Sequence, residues 1–179
     1  MRTTMHKWFW IWDFDKEEQW LNQMAANGKA LVHTGFCTYE FEDCTPGEYI
    51  YRLELLENLP GTMESQQYIR FLEETGAEQI GSYLRWCYFR RKASLGAFDL
   101  FSDFDSRIQH LNRMLWILYL VLPMNLISGI LNVWGYGRNA SNLIGGICNL
   151  IVALILILGI IRITAKKTHL KREREITEN

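Results

Sequence analysis

Two long stretches without a single charged side chain limit what this chain can be. Met114–Gly137 is uncharged over 24 residues and Asn139–Ile161 over 23, with Arg138 between them. Their centres read LWILYLVLPMNLISGILNVW and LIGGICNLIVALILILGII. A helix needs roughly 20 mainly apolar residues to cross a hydrocarbon core, and in lipid a backbone must satisfy its own polar groups. Both stretches are therefore predicted as transmembrane helices, at 111–134 and 143–163, joined by a short extracytoplasmic turn at 135–142. Burying them in a soluble core instead would take a shell that 179 residues cannot supply.

The flanking charges set an orientation. Arg107 and Arg113 precede the first span, and Arg162, Lys166, Lys167, Lys171, Arg172 and Arg174 follow the second, while the turn holds only Arg138. Basic residues stay inside, so both termini are expected in the cytoplasm, with a basic tail at 164–179 against the inner leaflet. The opening MRTTMHKWFW has no signal-like apolar region. Residues 1–110 carry 11 basic and 17 acidic side chains, a net −6, and residues 111–179 carry 8 and 3, a net +5. An acidic front portion argues against direct nucleic-acid binding, which needs a basic face.

Residues 1–92 are predicted to form a cytoplasmic α+β domain. Lys7–Phe14 (KWFWIWDF) has strand propensity, and Asp13 or Asp15 suits the cap of a helix over Lys16–Ala26 that Asn27-Gly28 ends. Ala30–Glu42 reads as a second strand bent at Gly35, and Glu48–Leu56 as a third. A helix over Met63–Thr75 closed by Gly76 and a fourth strand over Leu84–Arg91 complete the order β-α-β-β-α-β, a ferredoxin-like arrangement. On the first strand Trp8, Trp10 and Trp12 point one way and Phe9 and Ile11 the other, so both faces are apolar. Tyr49 and Tyr51 share a face of the third strand. A sheet face this aromatic needs cover. Three occupants stay open: residues 93–106 of the juxtamembrane connector 93–110 folding back, a second copy or protein partner, and a small apolar ligand.

Chemistry is harder to find. No Gly-rich phosphate loop, GxSxG, HExxH or paired CxxC is present, and Asp103-x-Asp105 lacks the glycine and glutamate of a calcium loop. Glu17/Glu18 and Glu73/Glu74 are expected on solvated helix faces. Cys37, Cys44, Cys87 and Cys148 are irregularly spaced and read as reduced packing residues, with no metal site and no cofactor. Arg85, Arg90, Arg91 and Lys92 cluster at a strand end, suited to lipid headgroups or the acidic domain surface more than to an anionic ligand. In the spans, Asn125 and Asn132 are two turns apart, as are Asn142 and Asn149, and with Gly145 and Gly146 they are expected to pack the hairpin or join protomers.

The run WLNQMAANGKAL, YEF, EYIYRLEL, QYIRFLEETGAE, WCYFRR and SDFDSRIQHLNR, in that order over roughly 5–113, resembles the domain-of-unknown-function 2812 family. The resemblance implies a bacterial protein with a cytoplasmic domain followed by membrane helices. It also implies a regulatory setting, because such proteins are often encoded beside PadR-type transcriptional repressors, which makes such a repressor a candidate partner. It supplies no catalytic residues. Gly76-Ala77-Glu78 departs from the aromatic that many members carry after the glycine. The expected function is a non-enzymatic, membrane-anchored regulatory or adaptor protein that self-associates or meets a cytoplasmic protein through Trp8, Trp10, Trp12, Tyr49 and Tyr51. The alternative is a small-molecule sensor tethered to the bilayer.

Overall fold

The computed structural model describes residues 2–100, 103–135 and 140–178, in two compact units, Met1–Ser102 and Asp103–Asn179. The first unit is one pattern built twice. β1 (Thr3–His6), α1 (Phe14–Ala26), β2 (Lys29–Gly35) and β3 (Thr38–Asp43) form the first half. β4 (Tyr49–Leu55), α2 (Met63–Glu74), β5 (Ala77–Tyr83) and β6 (Trp86–Lys92) form the second. Each half makes a three-stranded antiparallel sheet with its last strand in the middle, in the orders β1-β3-β2 and β4-β6-β5.

The halves correspond residue by residue. A shift of 48 carries Lys29–Gly35 onto Ala77–Tyr83 and the helix C-cap Asn27 onto Thr75. The same shift carries the one irregularity of the β2–β3 ladder, between Leu31 and His33, onto that of β5–β6, between Gln79 and Gly81. Gly28 falls on Gly76, each closing its helix at a positive φ of 75° and 86°. Only glycine takes that conformation without a steric cost.

This differs from the ferredoxin-like expectation of four strands in one sheet. The Lys7–Phe14 strand does not form; its place is taken by β1, a connecting segment and a 3-10 turn at Ile11–Asp13. The expected strands at 30–42 and 84–91 are parts of two hairpins turning at Phe36-Cys37 and Leu84-Arg85. Both helices start near their expected positions. Thr62 caps α2 by accepting from the Ser65 N–H (3.4 Å), whereas Asp13 accepts no capping bond and pairs with Lys16 at 2.7 Å.

Two cores hold the unit together. Leu21 and Ala25 of α1 meet Leu31, Tyr39 and Phe41 of the first sheet and Tyr51, Leu53 and Tyr88 of the second. On the far side of the second sheet, Ile69 and Leu72 of α2 meet Cys87, Phe89 and Phe98. β6 is thus buried on both faces, Tyr88 toward one core and Cys87 and Phe89 toward the other. Each fully buried large apolar side chain contributes about 1.5–3 kcal/mol. Phe98 and Leu100 come from the connector, which folds back onto α2, and the Arg91 guanidinium lies 5.0 Å from the Phe98 ring centre. The connector therefore covers the α2 side.

The second unit is two helices, α3 (Phe104–Trp134) and α4 (Ala140–Glu178). Asp103 caps α3 by accepting from the Ser106 N–H at 2.6 Å. Both helices are long and apolar enough to cross a membrane. Helix begins seven residues before the expected boundary at 111, and α4 continues without a break through the basic tail. Of the predicted turn 135–142, residues 136–139, Arg138 among them, lie outside the described residues.

Candidate functional site

The aromatic residues predicted as one surface separate into a surface set and an interior set. Trp8 and Trp10 are 55% and 41% exposed, while Trp12 and Tyr51 are buried and Tyr49 is half-buried beneath the Arg90 guanidinium, 4.4 Å from its ring centre. Trp12 stacks on Trp10 at 5.0 Å with planes 4° apart, and Trp10 meets Trp8 edge-on at 5.4 Å. The ladder continues past the prediction. The Lys7 N–H donates to the Cys37 carbonyl (3.1 Å), which sets Trp8 against Phe36 (5.7 Å), and Phe36 contacts Tyr83 (5.6 Å). Phe36 and Tyr83 sit at the tips of the two hairpins, beside exposed Leu84. A buried tryptophan anchors the inner end of this row, so its outer rings are held in place before anything binds.

Leu84 adds a second signal. Its φ is +55°, a conformation that costs a side chain with a Cβ roughly 1–2 kcal/mol. Glycine or asparagine would hold the turn more cheaply, and leucine gains nothing there by burial.

Tyr51 does structural work instead. Its hydroxyl accepts from the Leu31 N–H (2.8 Å), and Arg90 donates to the Leu31 carbonyl (3.3 Å), so the edge of β2 is closed by side chains from the second sheet. Tyr51's own peptide is closed from α1, its N–H donating to Asn22 Oδ1 (2.8 Å) and its carbonyl accepting from Asn22 Nδ2 (3.1 Å). Glu18 accepts from the Leu53 N–H at 3.1 Å. Bare sheet edges invite pairing with other chains, and these contacts remove two of them.

α1 also brings in a group that sequence reasoning placed in solvent. Glu17 is buried, and its Oε1 accepts from the hydroxyls of Tyr39 (2.7 Å) and Tyr88 (2.6 Å). Burial raises the Glu17 pKa, against the lowering effect of Tyr88 and then Tyr39. Burial also pushes Glu18 up to about 7, although Arg52 at 3.2 Å opposes it. Both tyrosine hydroxyls are raised well above their ordinary range, first by burial and then by the carboxylate beside them. Among the described residues, no group of three or more His, Cys, Asp or Glu is placed to hold a metal ion.

In the helical unit the predicted packing residues divide as well. A Cβ added to Gly146 would lie 3.0 Å from the Gly129 carbonyl oxygen and 2.9 Å from the Val133 nitrogen, so α3 and α4 cross in close contact there. Asn149 donates to the Ser128 hydroxyl across the pair (3.0 Å), and Asn132 donates to the same hydroxyl (3.3 Å). Asn142 donates to the Gly135 carbonyl (3.4 Å), while Asn125 donates to the Val121 carbonyl of its own helix (3.0 Å). Nothing lies within 4 Å of a Cβ added to Gly145. Ser128 and Gly129 went unrecognised because a small residue in an apolar run gives no sign of which helix face it occupies.

A family model described as "Protein of unknown function (DUF2812)" matches residues 13–122. The chain belongs to that family. The match runs from the turn before α1 into the middle of α3, so the family pattern includes the first unit from α1 onward and the start of the first long apolar helix, while β1 lies before it. No curated protein matches the DUF2812 chain, and no solved structure does.

Proposed function

We propose that this DUF2812 protein is a membrane-anchored regulatory or adaptor protein, non-enzymatic, whose N-terminal unit binds a protein partner or a second copy at the hairpin tips. The observation that carries the reading is the exposed row Trp8, Trp10, Phe36 and Tyr83 with Leu84 beside it. Large aromatic anchors held rigidly at a surface are the residues on which protein interfaces concentrate their binding energy. An apolar patch of this kind is costly on a surface that binds nothing. The α3–α4 pair serves as the anchor, and the basic residues flanking it favour both termini on the cytoplasmic side. A PadR-type repressor is a candidate partner on the strength of the family resemblance alone.

The test is association of the full-length chain extracted in mild detergent, by co-purification and by mass from light scattering. The double substitution Trp8→Ala/Trp10→Ala should abolish association while the chain still unfolds in one transition at a modestly lower temperature, since Trp8 is more than half exposed and Trp10 is 41% exposed but covers Trp12. Leu84→Asn should weaken association while slightly stabilising the turn. Association unaffected by both variants would overturn the reading.

A further inference from the structure

The two halves make the same unusual choice at the same place. Under the shift of 48 residues Phe36 falls on Leu84. Each opens the two-residue loop of its hairpin, between Gly35 and Thr38 in one and between Tyr83 and Trp86 in the other. Loops of this length ordinarily hold Gly, Asn or Asp. Here both first positions are large, apolar and exposed. The tips lie side by side, Phe36 against Tyr83, and Trp8 extends the row from Phe36.

Charge follows the same boundary. Segments 5–12, 33–39 and 81–86 hold Lys7 and Arg85 and no carboxylate, although residues 1–110 carry 17 acidic and 11 basic side chains. Both cations are fixed beside the row. The Lys7 ammonium lies 4.6 Å from the Trp20 ring centre, and Arg85 Nε donates to the Leu56 carbonyl at 2.7 Å. Asp13, the first carboxylate beyond Trp12, pairs with Lys16 at 2.7 Å, and Glu57, next to Leu56, is exposed. Tryptophan and tyrosine favour the headgroup level of a bilayer, where an apolar ring and a polar edge are both satisfied. Cations beside such rings meet lipid phosphates. A chain held in a membrane by α3 and α4 also keeps that bilayer at a high effective concentration.

We propose that the two hairpin tips, with Trp8, insert into the anionic headgroup layer of the bilayer that anchors the chain, so that lipid masks the partner surface while no protein is bound. Phe36 and Leu84 enter first, the rings of Trp8 and Tyr83 settle at headgroup level, and Lys7 and Arg85 face the phosphates. The proposal rests on the membrane-anchored reading given above and adds the occupant that a protein partner must displace.

The experiment places the full-length chain, one copy per disc, in lipid nanodiscs of equal parts phosphatidylglycerol and phosphatidylethanolamine, and follows amide hydrogen exchange. A single copy and no other protein leave lipid as the available cover. Exchange in segments 34–38 and 82–86, taken relative to unfolded-peptide rates, should be roughly tenfold slower in discs than in dodecyl maltoside micelles. The turn 45–48 serves as the control, because strand pairing puts Tyr49 opposite Lys92 and Leu55 opposite Trp86, which places that turn at the far end of the second sheet from Leu84. Its exchange should be the same in both media. Phe36→Ser/Leu84→Ser should return the tips to their micelle rates, and Leu84→Asn, which suits the turn, gives the same reading for segment 82–86 should the double variant fail to fold. Tips that exchange equally fast in discs and micelles, slowing that persists in a folded variant, or equal slowing of turn 45–48 would each sink the proposal. Unprotected tips together with association lost in Trp8→Ala/Trp10→Ala would leave the partner reading standing alone. Protected tips with association unaffected would leave only the lipid contact.

Discussion

The two halves of the N-terminal unit share a backbone down to the position of one bulge, yet their helices do different jobs. α1 turns Glu17, Glu18 and Asn22 toward strands of both sheets. At the equivalent positions α2 carries Ser65, Gln66 and Arg70. Ser65 donates to the Asn58 carbonyl, Gln66 to the Pro60 carbonyl (2.6 Å), and Arg70 is exposed. One helix ties the two halves together, whereas the other caps its own loop. A duplicated architecture thus leaves one copy to supply the joint and the other to remain local.

That contrast is broken most directly by removing the joint. Asn22→Ala leaves the N–H of buried Tyr51 without its partner, while the carbonyl keeps Arg52 at 2.9 Å, and one buried group left unsatisfied costs about 1–3 kcal/mol. Denaturant unfolding of the full chain, followed by tryptophan fluorescence, should show a loss of about 1–3 kcal/mol for Asn22→Ala. The matching Arg70→Ala should change stability by under about 0.5 kcal/mol, as exposed substitutions generally do. Equal losses would mean that α1 has no special role.

Much of this asymmetry was invisible in the sequence, for physical reasons. The helices and β4 were legible because apolar spacing and the terminal glycines marked them. The hairpins were not, because their turns have no Gly, Asn, Asp or Pro at the centre; Cys37 and Leu84 take the left-handed positions at φ 53° and 55°. Trp8, Trp10 and Trp12 alternate as a strand would, but the segment finds no sheet partner, and the short β1 pairs with β3 in its place. Of the surface row, the two outer tryptophans could be read from the sequence. Phe36 and Tyr83 could not, since only the missed hairpins bring them together. Glu17 looked solvated because the tyrosines that enclose it lie 22 and 71 residues away along the chain.

The acidic face of α1 also predicts a pH dependence that α2 should lack. Glu18 is held near pKa 7 against an ordinary 4.5, so the folded state binds its proton more tightly than the unfolded chain does. Its stabilising effect is complete below about pH 4.5, declines as pH rises, and is gone above about 7. Glu17 is shifted in the same direction by burial. Thermal unfolding across pH 4.5–8 should therefore show stability falling by on the order of 1–2 kcal/mol with rising pH, Arg52 and partial solvation limiting the size. Glu18→Gln should flatten the profile, and Gln66→Glu at the equivalent position of α2 should not steepen it to the same degree. A wild-type profile that rises over this range would contradict the assignment.

The finest comparison lies at the paired helix ends. Gly28 and Gly76 both require positive φ, so an alanine at either costs roughly 1 kcal/mol from backbone strain alone. Their surroundings differ. A Cβ at Gly28 would come 3.0 Å from the Cys44 carbonyl oxygen, a backbone atom that is itself tied down, since the Cys44 N–H donates to the Gly28 carbonyl at 3.0 Å. At Gly76 the nearest atom, also at 3.0 Å, is the Cδ1 of Leu95, the free end of an exposed side chain that can rotate away. Gly28→Ala should thus be the more destabilising of the two by about 0.5–1 kcal/mol, read as a difference between two otherwise matched denaturation midpoints. The strain common to both variants cancels in that difference. What is left reports only whether the chain after α1 is fixed more firmly than the chain after α2. Equal midpoints would show that the Cys44 turn yields as readily as a leucine side chain, and that the joint resides in Asn22 and Glu18 without help from the loop beyond them.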